Sequence, residues 1–182
     1  MTGFNTAPPT PEVVFDQAQR LLLCVSEQLA ATPAGSPARA AVVPGAQIAW
    51  DNCECGQLTV HTLEMVPADQ FPVQKQLPPF NDCGFGWWVT HYVVTILRCV
   101  HIQDEAGNPP PAADLQADAA IDLRDRWAVR QGVACCMAAY KAANPVVPFA
   151  WVPQSQLAVG AEGMCMGSEF HLLVGFPACG DC

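Results

Sequence analysis

The sequence predicts an α+β fold, with two main helices packed on one face of a mostly antiparallel sheet. Apolar residues recur at helical spacing near residues 11–31 and again near 113–143. Residues 87–102 are dominated by β-branched and aromatic types, which favour a strand. The predicted order is helix, strands, long loop, long strand, helix and two further strands, and this order is typical of a layered α+β domain.

The length of the chain predicts one domain with a substantial core. Its 182 residues fall in the range of ~100–200 residues for a single domain, and a core of that size does not need disulfides or metals to fold. We expect a flexible N-terminal arm at residues 1–10, one α+β domain over 11–176, and a C-terminal tail at 177–182. Residues 67–86, with four prolines and two glycines, are predicted to form a long loop or an extended hairpin region.

Charge and hydropathy exclude several classes of function. Apolar residues make up 51% of the chain and charged residues 14%. An average soluble protein has ~25% charged residues, so we expect partners to cover part of this surface. Eight Lys and Arg face 17 Asp and Glu, for a net charge of −9, which disfavours binding to nucleic-acid phosphates or to anionic membranes.

The sequence also predicts the cellular compartment in which the chain is synthesised and folds. No apolar run reaches the ~18 residues of a membrane span. The start of the chain has neither a basic segment nor an apolar segment of the kind that makes a signal peptide. We therefore expect synthesis and folding in a cytoplasm, with no binding to a membrane.

The first helix is predicted to begin at Thr10-Pro11-Glu12. Thr is a good N-cap, Pro fits the first helical position, and an acidic side chain suits the positive end of the helix dipole. The helix should end near Ala31, and residues 32–45, punctuated by Pro and Gly, are predicted to be a loop. The apolar face of the helix consists of Val14, Ala18, Leu21, Leu22, Val25 and Leu29.

Strands are predicted on both sides of the long loop. A first β region at 46–66 contains Ala46–Trp50 and Leu58–Val66. The strand at 87–102 is apolar in both alternating sets of residues, which predicts burial on both faces. Sixteen residues would span roughly 50 Å at ~3.3 Å per residue, so this strand should bend or project as a hairpin.

The second helix is predicted over about Ala113–Ala143. Aspartates come early and arginines later, which suits the helix dipole, and Asp122 with Arg126 makes a favourable i, i+4 pair. We interpret Asp118 and Asp122 as a solvated surface rather than as a pair of catalytic acids. Gly132 is expected to weaken the middle of the helix. An apolar stripe consists of Leu115, Ala119, Leu123 and Trp127.

After this helix the chain is predicted to return to the sheet. Residues 146–160 should form an interrupted strand, which Pro148 and Pro153 confine to an edge of the sheet. A Gly-rich turn at 160–167 then leads to the last strand, Glu169–Phe176.

Ten cysteines allow several interpretations. A cytoplasmic protein keeps cysteines reduced, so we expect most of them to be thiols in the core or on the surface. A disulfide between the Cys53/Cys55 pair and Cys83 is one alternative, because these residues flank the long loop and a virion or extracellular setting permits oxidation. Another is a four-thiolate zinc site from Cys53, Cys55, Cys179 and Cys182, since the last two have the x2 spacing of zinc ligands.

The four histidines, His61, His91, His101 and His171, all lie in or at the end of predicted strands. None is placed four residues from another, as two zinc ligands on one helix would be. We expect strand residues with ordinary hydrogen bonds. A Cys/His nucleophile pair stays open, because such partners meet in space rather than in sequence. No group of residues in the sequence has the pattern of a catalytic site.

Several segments together resemble a known family. They are an N-terminal helix, a Cys-x-Cys-Gly-x-Leu-x-Val strand from Cys53 to Val60, Phe71-Pro72, Cys83, Leu97-Arg98-Cys99-Val100, an acidic Ala-rich helix and the turn from Gly160 to Cys165. The pattern is similar to the tail terminator or head-to-tail connector proteins of siphophages that infect actinobacteria, over about residues 11–176. In the turn, Ala161 and Glu162 stand where the family pattern has a proline.

The resemblance implies a tail-terminator-like fold and a structural role without catalysis or cofactor. The implied subunit assembles as a homo-hexameric ring, ends growth of the tail tube at its head-proximal end, and docks the filled head. Implied partners are the major tail tube protein and head-closure or connector proteins, and DNA passes through the lumen without sequence-specific binding. The protein would be assembled in the host cytoplasm and reside in the tail or neck of the virion. Residues 67–86 and 87–102 are the segments expected to reach a neighbouring subunit.

Other functions stay open at this point. Another neck component, such as a head-closure stopper or a tail-completion protein, would also be a structural assembly protein and would differ only in its position in the particle. A cysteine- or zinc-dependent enzyme would use the thiols described above. A secreted, disulfide-bonded binding module is disfavoured by the lack of a signal peptide.

Overall fold

A computed structural model describes residues 10–45, 56–73, 86–145, 147, 149–162 and 164–177. The predicted strand Ala46–Trp50, most of the N-terminal arm and of the C-terminal tail, and much of the 67–86 region lie outside the described residues. Those predictions stay predictions.

The described residues form two helices and a five-stranded sheet. The elements are α1 (Pro11–Ala30), β1 (Arg39–Val42), β2 (Gln57–Ala68), β3 (Trp87–Cys99), α2 (Ala112–Ala143), β4 (Ala150–Glu162) and β5 (Cys165–Pro177). The strand order is β1-β2-β3-β5-β4, with β1 parallel to β2 and all other neighbours antiparallel. Both helices pack on one face, so the predicted α+β fold is confirmed. Neither helix within the described ranges is long and apolar enough to cross a bilayer.

The main core lies between the helices and the sheet. α1 begins and ends within one residue of the prediction and buries nearly all of its predicted apolar face. The hydroxyl of Tyr92, on β3, donates a hydrogen bond to the Val14 carbonyl at 3.0 Å and so fastens α1 to the central strand. From the sheet, the core receives Leu58, Val60, Tyr92, Val94, Ile96, Phe170, Leu172, Val174 and Phe176.

Strand β1 lies inside the segment 32–45, which was predicted to be a loop throughout. It pairs in parallel with the start of β2, with Arg39 opposite Gln57 and Val42 opposite Val60. The prediction was wrong here because alanine has a low strand propensity and a four-residue Arg-Ala-Ala-Val segment shows no clear alternation. The segment forms a strand because its backbone pairs with that of β2, and the local sequence does not indicate this pairing.

Strand β3 is the centre of the sheet and does not project as a hairpin. It ends at Cys99 rather than at residue 102, and it pairs with β2 on one side and with β5 on the other. Both neighbours are about as long as β3, so its length is accommodated within the sheet. Residues 89–97 are all buried, which confirms the predicted burial on both faces.

Strand β4 is an edge strand, as predicted, and its register shifts between Pro153 and Gln156. The other proline of that prediction, Pro148, lies outside the described residues. The last strand begins at Cys165 rather than Glu169, so most of the predicted Gly-rich turn belongs to strands. Gly167 fits within β5 because a Cβ at this position would collide with the Ile96 carbonyl oxygen on β3. Here glycine permits a close approach of two backbones rather than a turn.

Candidate assembly surface

The apolar stripe of α2 lies on the protein surface. Leu115 is 50% exposed, Leu123 66% and Trp127 63%. The side of α2 that faces the core instead carries smaller residues, namely Ala128, Val129, Gly132, Val133, Cys136 and Met137. An exposed row of large apolar side chains on a central helix is typical of a surface that contacts another protein.

A shallow groove continues this stripe toward α1. Leu123 and Trp127 line it together with Arg124, and the end of α1 and the turn after it form the opposite side. The other lining residues are Gln28, Ala31, Thr32, Pro33, Ala128 and Gln131. The groove therefore combines apolar side chains with a guanidinium and two amides, a composition suited to an apolar side chain of a protein partner.

A close crossing of α1 and α2 fixes which side of α2 faces outward. A Cβ at Gly132 would lie 2.9 Å from the Val25 Cα and 3.1 Å from the Cys24 carbonyl oxygen. α2 runs through Gly132 unbroken, and the missing side chain lets the two helices meet. The expected weakening of the helix at this position stays a prediction. Nearby, Cys24 and Cys136 form a disulfide with their Cα atoms 5.8 Å apart, which locks the same crossing.

A largely buried ion pair joins the elements that border the groove. Arg98, near the end of β3, contacts Asp125 of α2 with Nε 2.7 Å from Oδ2. Its Nη2 also donates to the Gly35 carbonyl at 2.5 Å, so one side chain joins the sheet, α2 and the turn after α1. Sequence reasoning did not single out this pair, although an arginine closing an otherwise apolar strand is a signal that could have pointed to it.

The two aspartates interpreted as a solvated surface have specific partners. Asp118 is buried, and its Oδ2 accepts a hydrogen bond from the His101 backbone nitrogen at 2.9 Å. The prediction was wrong for Asp118 because the segment after β3 folds back over it, and His101 lies in that segment rather than in a strand. Asp122 forms the predicted i, i+4 pair with Arg126, with Oδ2 2.6 Å from Nη2.

The other three histidines lie in strands, as predicted, on the sheet face opposite the helices. His91 Nε2 is 2.9 Å from His171 Nδ1, which is a direct hydrogen bond between the two rings. Each outer ring nitrogen faces a carboxylate at 3.7 Å, Glu64 for His91 and Glu169 for His171. Burial is the main cause that lowers the pKa of His91, and likewise that of His61. Sequence reasoning missed this cluster because it depends on the strand register.

The cysteines of the predicted disulfide and zinc site, Cys53, Cys55, Cys83, Cys179 and Cys182, all lie outside the described residues. Within the described ranges, no group of three or more His, Cys, Asp or Glu side chains has the geometry of a metal site. The described cysteines differ in part from the expectation of thiols. Besides the Cys24–Cys136 pair, Cys165 takes part in a disulfide.

No protein-family model and no curated protein matches this chain. What the described residues offer is a contact surface with a rigid support. The α2 stripe and its groove supply apolar area, and the helix crossing and the Arg98–Asp125 pair hold that area in place.

Proposed function

We propose that this chain is a structural subunit of a phage virion, a tail terminator that forms a ring, ends tail-tube growth and joins the tail to the neck. The observation that carries the proposal is the exposed α2 stripe of Leu115, Leu123 and Trp127. Because the helix crossing is locked, these side chains cannot turn inward, and a partner that covers them removes their apolar area from water.

The resemblance to tail terminator and connector proteins supplies the class of partner. In a closed ring, copies meet head to tail, so a surface on one copy contacts a different surface on the next. Strand β4 offers such a second surface, since it is a sheet edge of 13 residues with an exposed Leu157, and edge strands present unpaired backbone groups to a neighbour. The net charge of −9 suits a lumen through which DNA slides without being held.

The oligomeric state of the purified protein tests the proposal. Size-exclusion chromatography with light scattering should detect rings of six, either alone or after addition of the major tail tube protein. The double variant Leu123→Ser/Trp127→Ser should remain monomeric and folded. A matched control is Leu23→Ser, because Leu23 is 64% exposed on α1 and does not line the groove. A wild-type chain that stays monomeric even with the tube protein would contradict the proposal.

Particles that lack the protein separate the terminator from the other neck components. Tails of uncontrolled length beside DNA-filled, tailless heads are expected for a missing terminator. Tails of normal length beside heads that leak their DNA would instead identify a head-closure protein.

A further inference from the structure

We propose that Glu64, His91, His171 and Glu169 form an acid-responsive switch on the sheet face opposite the helices. In the neutral state the two imidazoles bind each other. In the acid state that bond is replaced by two separate pairs, His91 with Glu64 and His171 with Glu169. This switch goes beyond the proposed role in the virion and does not depend on it.

Strand register places the four groups in one row. Glu64 of β2 lies directly opposite His91 of β3. His171 of β5 lies opposite Val93, so it is the diagonal neighbour of His91 on the same face. The rings are tilted at 59° with centroids 5.1 Å apart, and the inner nitrogens meet at 2.9 Å.

In the neutral state, the two imidazoles carry too few protons for every ring nitrogen of the row to donate or accept a hydrogen bond. A neutral imidazole has one N–H and one bare nitrogen, so one ring donates to the other across the 2.9 Å contact. Whichever ring donates, one outer nitrogen lacks a proton and faces a carboxylate. Both outer distances are 3.7 Å, longer than a well-formed hydrogen bond, although Glu64 already acts on His91 through its charge and its side-chain contact. His171 Nε2 is buried without a hydrogen-bond partner among the described residues.

The first added proton gives both outer ring nitrogens an N–H group, and the second breaks the hydrogen bond between the two rings. One extra proton gives every outer nitrogen an N–H and keeps the inner bond. A second proton places N–H groups on both inner nitrogens, which then face each other as two like charges and cannot remain at 2.9 Å. Each imidazolium has its own carboxylate on its outer side. The Glu64 side chain is 43% exposed and that of Glu169 34%, so each carboxylate is partly exposed to solvent beside its ring.

The surroundings of the row keep the neutral state in place near pH 7. His61 of β2 is buried on the same face, opposite Val93, and it is the remaining titratable group there among the described residues. In the register of β4, Val152 lies opposite Leu173 and Leu157 opposite Glu169, and neither titrates. Burial lowers the pKa of His91 and of His61, so the transition falls below the ordinary histidine value of about 6.5.

Nuclear magnetic resonance of ¹⁵N-histidine-labelled protein tests the switch directly, because ring nitrogen shifts report tautomer and charge. At pH 8 the inner nitrogens of His91 and His171 should have opposite protonation, one with and one without hydrogen. As the pH falls below 7, the ring signals of His91 should change in two steps, because its charge is coupled to that of the neighbouring ring. His101, which lies outside the row and pairs with Asp118, serves as the internal reference.

Variants distinguish coupling between the His91 and His171 rings from the effect of burial on each ring alone. In His171→Gln, His91 should lose its second step and titrate once, whereas His101→Gln should leave the His91 curve unchanged. Glu64→Gln should displace the His91 transition to lower pH. Independent one-step curves for His91 and His171, unchanged by replacement of the other ring, would overturn the proposal. If a variant does not fold, the wild-type spectrum at pH 8 still decides, since identical protonation of both inner nitrogens rules out the inner bond.

Discussion

Gly132 of α2 packs directly on Val25 of α1, where a Cβ would lie 2.9 Å from the Val25 Cα. The Val25 Cα and the Cys24 carbonyl oxygen are backbone atoms and cannot be moved by a rotamer change. The contact determines how deeply the two helices approach, and therefore which side of α2 is left for solvent or for a partner. A glycine that sequence reasoning assigned to helix weakness thus sets the orientation of the candidate surface.

Replacing Gly132 by alanine should destabilise the protein. Alanine improves helix propensity by about 1 kcal/mol, but overpacking against a backbone typically costs about 1–3 kcal/mol, so we expect a net loss of up to about 2 kcal/mol. Urea unfolding followed by circular dichroism measures this change. Gly160→Ala is the control, because a Cβ there meets nothing within 4 Å. Equal stabilities for both variants would show that α1 and α2 can move apart enough to accommodate an alanine Cβ at position 132.

The disulfide between Cys24 and Cys136 should contribute strongly to stability, because it joins residues 112 apart in sequence. A crosslink that closes a loop of this size restricts the unfolded chain and stabilises the fold by about 4–5 kcal/mol on a chain-entropy basis. The double variant Cys24→Ser/Cys136→Ser should lose a comparable free energy of unfolding. Cys135→Ser provides the control, since Cys135 is an exposed cysteine outside any disulfide. A double variant as stable as this control would show that the crosslink does not stabilise the fold.

Local signals predicted the ends of the helices well but did not indicate which side of α2 is buried. Thr10-Pro11 begins α1, and Asn144-Pro145 follows the end of α2, because caps and prolines act on their nearest neighbours. The choice of the buried side of α2 depends instead on a tertiary contact at Gly132, where small residues are favoured. The sequence analysis identified the stripe with Leu115, Leu123 and Trp127 without assigning it to the core or the surface, and these three side chains are exposed.

The contact between His91 and His171 could not be predicted from any single segment of the sequence. His91 and His171 are 80 residues apart in sequence and meet only because β3 pairs with β5 in one register. A shift by one residue would place one ring among the core residues on the other face. Strand existence was therefore predictable from composition, whereas the site was not, because register is decided by packing across the whole sheet.

Breaking the Arg98–Asp125 pair should be far more costly than breaking an ion pair nearer the surface. Asp125 is buried and Arg98 nearly so, so Asp125→Ala leaves a guanidinium without its counter-charge, at a cost of about 3–5 kcal/mol. The matched variant Asp122→Ala removes the i, i+4 partner of Arg126 and should cost less than Asp125→Ala, because its two side chains are 12% and 24% exposed rather than 2% and 12%. Thermal and denaturant unfolding of the two variants compare these costs. Similar losses in both would mean that water reaches Arg98 once Asp125 is gone.

Stability should depend on pH through the buried histidines. Because burial lowers the pKa of His91 and His61, the unfolded chain takes up these protons before the folded one does. The neutral rings therefore give their full stability above about pH 6.5, and this stability is lost as the pH falls toward the lowered folded-state pKa values. His91→Gln should reduce the loss of unfolding free energy between pH 7 and pH 5, whereas His101→Gln should retain it, since His101 lies outside the buried cluster. Parallel pH profiles for wild type and His91→Gln would show instead that the lost stability comes from carboxylates, which titrate nearer pH 4.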